Sequence, residues 1–134
     1  KELVFIDDYA HHPEEINAVY HAVREMYPGN KVVAVFQPHL FSRTRDFGEE
    51  FGQSLSKFDE LLLLDIYPAR EEPIAGVDSK WLLGKINNPK KQLISKSNII
   101  QKIKESNAKI ILTIGAGDIG SEIQKIKEAL LNEN

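Results

Sequence analysis

An α/β fold on a mainly parallel sheet of five or six strands is predicted by two observations on the sequence. Five short apolar runs, most of them rich in β-branched residues, recur at residues 3–6, 32–36, 61–66, 92–94 and 110–114. The segments between them space their apolar residues as helices do. Strand and helix in alternation make βαβ units, whose parallel strands need helical crossovers packed on the sheet faces. The expected arrangement is a Rossmann-like three-layer domain spanning residues 1–134, with helices flanking the sheet.

Each element carries its own signal. The first strand, 3–6, is followed by a helix opening at Pro13, whose missing N–H suits the first helical position, with Glu14 and Glu15 complementing the positive dipole end. Ile16, Val19, Tyr20, Val23 and Tyr27 form its apolar stripe, and Pro28-Gly29 stops it. After the second strand, Ser42 is the expected N-cap of one helix in which Phe47, Phe51 and Leu55 make a buried face. The third strand leads into an irregular stretch, Tyr67 to Val77, whose two prolines and glycine make it a loop. A short helix is expected after Asp78. The weakest strand, 92–94, precedes a helix marked by Ile99, Ile100 and Ile103. Ile119, Ile123, Ile126 and Leu130 mark the last helix, after the fifth strand.

With 134 residues, 42% of them hydrophobic, the chain can bury one core. A net charge of -3 with both signs interspersed supplies no basic stripe for phosphates, so nucleic acid is not an expected partner. No apolar run is long enough to span a membrane and no signal-peptide pattern is present, so a cytoplasmic location is the default expectation. Cysteine is absent, which excludes disulfide and thiolate chemistry within this sequence. The only methionine is Met26, and residues 2–6 already read as a strand, so a piece of a longer protein is expected.

Open α/β sheets bind ligands outside the carboxyl ends of their strands. The loops there hold Asp7-Asp8-Tyr9-Ala10-His11-His12-Pro13, then Gln37-Pro38-His39-Leu40-Phe41-Ser42-Arg43-Thr44-Arg45, then residues 67–77, and finally Gly115-Ala116-Gly117-Asp118-Ile119-Gly120. Three of the four histidines fall on this edge, His21 being the exception. Arg43 and Arg45, expected at the mouth of a helix, suit an anion, because guanidinium forks pair bidentately with carboxylates and phosphates. Adjacent His11 and His12 make a poor chelating pair and no third ligand has a diagnostic spacing, so no metal site is expected. The Gly-x-Gly-x-x-Gly string would be a dinucleotide fingerprint if it opened a βαβ unit, but only one helix follows it. A tight strand-to-helix turn is the expected role instead. No Gly-x-x-x-x-Gly-Lys-Ser/Thr loop is present to grip a triphosphate.

Taken in order, Asp7-Asp8-Tyr9-Ala10-His11-His12-Pro13, Val35-Phe36-Gln37-Pro38-His39, Ser42-Arg43-Thr44-Arg45, Tyr67-Pro68-Ala69 and Gly115-Ala116-Gly117-Asp118-Ile119 resemble the C-terminal domain of the Mur ligase family, closest to its alanine-adding branch. The resemblance covers essentially the whole chain. It implies the C-terminal domain of a three-domain, ATP-dependent ligase of peptidoglycan synthesis, inactive as an isolated fragment. In such enzymes ATP activates the carboxylate of UDP-N-acetylmuramate as an acyl phosphate, which the amine of L-alanine attacks. ATP and Mg2+ are held mainly by the central domain, and the C-terminal domain presents the amino acid and covers part of the nucleotide. Carried over by position, the L-alanine site comprises His39, Arg43, Tyr9 and His11, with Arg45 as a further candidate, while Asp8 and His12 face the nucleotide and the domain interface. No catalytic residue is expected within this domain alone. Some relatives carry arginine where this chain has Leu40. The alternatives are a related murein-peptide ligase domain or a stand-alone nucleotide- or ligand-binding module on the same fold.

Overall fold

The computed structural model describes residues 3–132. Five strands, β1 (Val4–Asp8), β2 (Val32–Phe36), β3 (Glu60–Leu63), β4 (Lys91–Leu93) and β5 (Ile110–Ile114), form one sheet in the order β1-β5-β2-β3-β4. Every pairing is parallel. Six helices connect and flank them: α1 (Pro13–Met26), α2 (Phe41–Asp46), α3 (Gly48–Leu55), α4 (Ser79–Leu83), α5 (Ile99–Ser106) and α6 (Ile123–Asn132).

Successive strand residues point to opposite faces, and the core divides accordingly. Ala34, Phe36, Leu61, Leu63 and Leu112 pack under Ile16, Val19 and Val23 of α1, Phe51 and Leu55 of α3 and Leu82 of α4. Val33, Val35, Leu62 and Ile111 pack against Ile99 and Ile103 of α5 and Ile126 and Leu130 of α6. Strands β2 and β5 are buried at every position, as a parallel strand covered on both faces must be. The split between faces follows from handedness. Crossovers β1 to β2 to β3 to β4 advance one way across the sheet, and β4 to β5 runs back. A right-handed crossover running back must use the other face.

The expected fold class holds, with five strands and no antiparallel member. Several local expectations need correction. Strand β1 runs to Asp8, two residues beyond the apolar run, because its ladder with β5 continues through Asp7↔Thr113 and Asp8↔Ile114. Strand β3 ends at Leu63 rather than residue 66. The single helix expected from Ser42 is two, α2 and α3, separated at Phe47. Ser42 lies inside α2, and its N-cap position is taken by Leu40. Phe51 and Leu55 are fully buried, but Phe47 is exposed, so the four-residue spacing does not define one face. The break coincides with close packing: a Cβ on Gly48 would lie 2.7 Å from Trp81 Cη2, and one on Gly52 only 2.4 Å from the Lys85 carbonyl oxygen. Ile119 sits in a 3-10 turn, Asp118–Glu122, ahead of α6.

Candidate functional site

The candidate site residues lie at the carboxyl edge of the sheet, Asp8 at the end of β1, Tyr9, His11, His12 and His39 on the loops after β1 and β2, and Arg43 and Arg45 on α2. The β1–α1 loop is shaped by two carboxylates. Asp8 Oδ1 accepts from the Ala10 N–H at 2.9 Å, turning the chain out of the strand. Glu15 Oε1 accepts from the N–H groups of His11 at 2.8 Å and His12 at 3.0 Å, capping α1 from within. These N–H groups hold the Glu15 carboxyl below its ordinary value. Asp7 Oδ1 accepts from Thr113 Oγ1 at 2.7 Å, a strand-to-strand tie.

The loops after β2 and β3 are fastened together. Leu40 N–H donates to the Tyr67 carbonyl at 2.8 Å, and Tyr67 N–H to the Pro38 carbonyl at 2.8 Å. His39 and Tyr67 thereby form a parallel bridge, their ring centroids 5.5 Å apart. The loop after β5 closes beneath them. Gln37 Nε2 donates to Asp118 Oδ1 at 2.5 Å, Gln37 Oε1 accepts from Ile119 N–H at 2.8 Å, and Lys96 Nζ donates to Asp118 Oδ2 at 2.6 Å. Burial pushes the Asp118 carboxyl up, but Lys96 and Gln37 outweigh it and hold it low.

These contacts bring His11, His12, His39 and Arg43 to one place. The His11 ring centroid is 6.2 Å from His39 and 5.1 Å from His12, and Tyr9 meets His11 edge-on at 5.8 Å. Tyr9 is 73% exposed and His12 rests against Phe47 at 5.9 Å. Arg43 Nη1 reaches back to the His39 carbonyl at 3.4 Å, and among the described residues Arg43 forms no ion pair. His39 Nδ1 is buried and has no hydrogen-bond partner among the described residues. Burial first, then the charges of Arg43 and His11, hold the His39 imidazole below its ordinary value, keeping it neutral beside the guanidinium. A guanidinium without an ion-pair partner among the described residues, set beside a half-buried imidazole, is a candidate site for a carboxylate-sized anion.

Arg45 is placed otherwise. Its Nε donates to Asp46 at 2.9 Å on the exposed side of α2. Because the helix is six residues long, Arg43 and Arg45 both lie in its last turn, where a cation suits the dipole, which corrects the expectation that they sit misplaced at a helix mouth. His21 is exposed on α1. Two clefts open on this edge. One of about 430 Å³ is lined by Asp8, Tyr9, His11, Glu15 and Val19, the other of about 310 Å³ by Gln37, Asp65, Tyr67, Lys96 and Asp118. Among the described residues no group of three or more His, Asp or Glu side chains is placed to hold a metal ion.

Sequence reasoning missed Tyr67 as the support of His39, and missed Glu71. The Glu71 carboxylate accepts from Ser42 N–H at 3.1 Å and from Ser42 Oγ, across the loops.

A parallel sheet whose loops after β1, β2 and β3 gather His11, His39, Arg43 and Tyr67 at its carboxyl edge makes an α/β domain with a candidate anion site there. The family described as Mur ligase, glutamate ligase domain matches residues 1–121, and the chain belongs to that family. It is similar to the UDP-N-acetylmuramate–L-alanine ligase of Christiangramia forsetii, 64% identical over 131 residues, covering 98% of this chain and 29% of that protein. The protein of the same name from Flavobacterium johnsoniae is 62% identical over 133 residues, covering 99% of this chain and 29% of its own length. The chain therefore spans 29% of the length of these curated relatives. Among solved structures, a murein peptide ligase from Psychrobacter arcticus superposes with a TM-score of 0.69 at 21% identity, over 96% of this chain and 29% of that one. A separately crystallised domain from Haemophilus ducreyi gives 0.65 at 24% identity, over 97% of this chain and 96% of that one. At such identities the likeness carries the fold.

Proposed function

We propose that this chain is the C-terminal, amino-acid-accepting domain of a three-domain UDP-N-acetylmuramate:L-alanine ligase, and that His39 and Arg43 hold the alanine carboxylate. The observation that carries the reading is an Arg43 that has no ion-pair partner among the described residues and reaches back to the carbonyl of the half-buried His39. The 62–64% identity to proteins of that name over nearly the whole chain supports the substrate. Tyr9 and His11, which line the adjoining cleft, are assigned to the alanine site as well, and Asp8 and His12 to the interface with the other domains and the nucleotide. Arg45 is a peripheral member, since its guanidinium already faces Asp46.

What these residues do is bind and orient. A carboxylate fixed by Arg43 and His39 leaves the amine of alanine directed away from the pocket, toward the carbonyl that the rest of the enzyme activates, and such alignment is a large part of the rate. ATP and Mg2+ are assigned to the rest of the parent chain. This sequence has no phosphate-gripping Gly-x-x-x-x-Gly-Lys-Ser/Thr loop. UDP-N-acetylmuramate is bound there as well, and docking of the three domains brings the parts together in the cytoplasm.

The test is phosphate release by the full-length parent protein given ATP, Mg2+ and UDP-N-acetylmuramate, with and without L-alanine. Turnover by the full chain that requires alanine, and none by residues 1–134 alone, is expected. Turnover by the isolated chain, or a full chain indifferent to alanine, contradicts the reading.

A further inference from the structure

Helix α2 begins without a cap of its own. Its N-cap position is Leu40, whose side chain has no acceptor, and the preceding backbone is held at φ 76 and ψ 136, a conformation that favours glycine. Thr44 Oγ1 turns back to the Leu40 carbonyl at 2.8 Å, which leaves the N–H groups of the first turn still to be satisfied. That of Ser42 is satisfied from another loop. Glu71 Oε1 accepts from Ser42 N–H at 3.1 Å, Glu71 Oε2 accepts from Ser42 Oγ, and the Phe41 N–H adds to the pull on the same carboxylate. Glu71 is in turn set in its loop by its own N–H, which donates to the Pro68 carbonyl at 2.9 Å, directly after the Tyr67 bridge to His39.

We propose that Glu71 is a positioning residue for the amino-acid carboxylate site: it caps α2 from the β3–α4 loop and so fixes Arg43, the residue after Ser42, relative to His39. This rests on the reading of His39 and Arg43 as the carboxylate holders. The six-residue α2 is too short to be stable alone, so its orientation depends on what grips its ends. The far end runs into the α2–α3 break at Phe47. At the near end, the Leu40–Tyr67 backbone bond and the Glu71–Ser42 contacts are the ties to the β3–α4 loop. Losing the carboxylate frees the first turn, and Arg43 with it, while His39 stays bridged to Tyr67. Only ligands that need both residues at a fixed separation should notice.

The experiment compares Glu71→Ala, Glu71→Gln, Ser42→Ala and Arg43→Ala in the full-length ligase by steady-state kinetics against each substrate. Glu71→Ala is expected to raise the KM for alanine about tenfold, with kcat and the KM values for ATP and the UDP-sugar changed less than about threefold. Glu71→Gln, which keeps an acceptor oxygen for Ser42, should recover most of that loss. Ser42→Ala, a small change within the folded helix, should shift the alanine KM in the same direction. An alanine KM unaltered in Glu71→Ala and Ser42→Ala while Arg43→Ala raises it overturns the positioning role alone. A uniform loss across all three substrates, without rescue by glutamine, assigns Glu71 to general stability and also overturns it. If Arg43→Ala itself leaves the alanine KM unchanged, the carboxylate site falls, and the positioning role with it.

Discussion

Tyr67 holds His39 twice, by a parallel backbone bridge and by a ring stacked at 5.5 Å with the planes tilted by 38°. The support continues downward. Gly117 lies under Tyr67 so closely that a Cβ there would sit 2.7 Å from Tyr67 Cβ and Cγ and 2.6 Å from Gln37 Oε1. Glycine is needed at this position for that approach, and the Gly-x-Gly-x-x-Gly string is to this extent a packing device.

Gly117→Ala should therefore lower the unfolding free energy by about 1–3 kcal/mol, the usual range for forced overpacking. Because the displaced groups are Tyr67 and Gln37, it should also raise the alanine KM of the parent ligase. Urea unfolding and alanine titration check the two parts separately, and an unchanged midpoint would show that the loop yields freely.

Leu40 reverses an ordinary ranking. Its φ of 76 with ψ of 136 is strained for any residue with a Cβ. Leu40→Ala keeps that strain and loses the side chain, whereas Leu40→Gly loses both. Leu40→Gly should be the more stable of the two by about 1–2 kcal/mol, although glycine normally costs more than alanine. Paired urea melts decide it, and an alanine variant equal to or more stable than glycine removes the strain argument.

The pH dependence has a defined sign. The His39 imidazole titrates below its ordinary 6.5 when folded, through burial, Arg43 and His11. The unfolded chain thus binds the proton more readily, so stability present above about pH 6.5 declines as pH falls from there toward the folded value. Glu15 and Glu71 are held below 4.5 by the N–H of His11 and the hydroxyl of Ser42, so their contribution is present above 4.5 and is lost only as pH falls below it. Between pH 7 and 5 the slope of unfolding free energy should be positive with pH and flatter in His39→Gln. A slope identical in both proteins would remove His39 as its source.

Much of the fold was legible because burial on both faces leaves an unmistakable sequence. The runs that become β2 and β5 are apolar except for Thr113, and their ends match the observed strands. The limits of β1 were not, since Asp7 and Asp8 stay in the ladder by pairing with Thr113 and Ile114, partners remote in sequence. The division of α2 from α3 was hidden for a similar reason: Phe47, Phe51 and Leu55 keep their spacing across it, and the packing of Gly48 depends on Trp81 of another helix. At the carboxyl edge, His11, His39 and Arg43 could be singled out because strand ends and residue type suffice to find them. Arg45 was grouped with them as a second guanidinium expected at the mouth of a helix, but its Nε faces Asp46 on the exposed side of α2. Glu71 carries no such signal, since its partner Ser42 lies on the far side of β3.

The central claim is that Arg43 and His39 hold the carboxylate of the incoming amino acid, and the alanine dependence of Arg43→Ala in the full-length ligase tests it most directly. Loss of a charge-assisted hydrogen bond predicts an alanine KM raised about ten- to a hundredfold, with the KM values for ATP and UDP-N-acetylmuramate little changed. An alanine KM equal to that of the unaltered enzyme would contradict it and place the amino acid elsewhere.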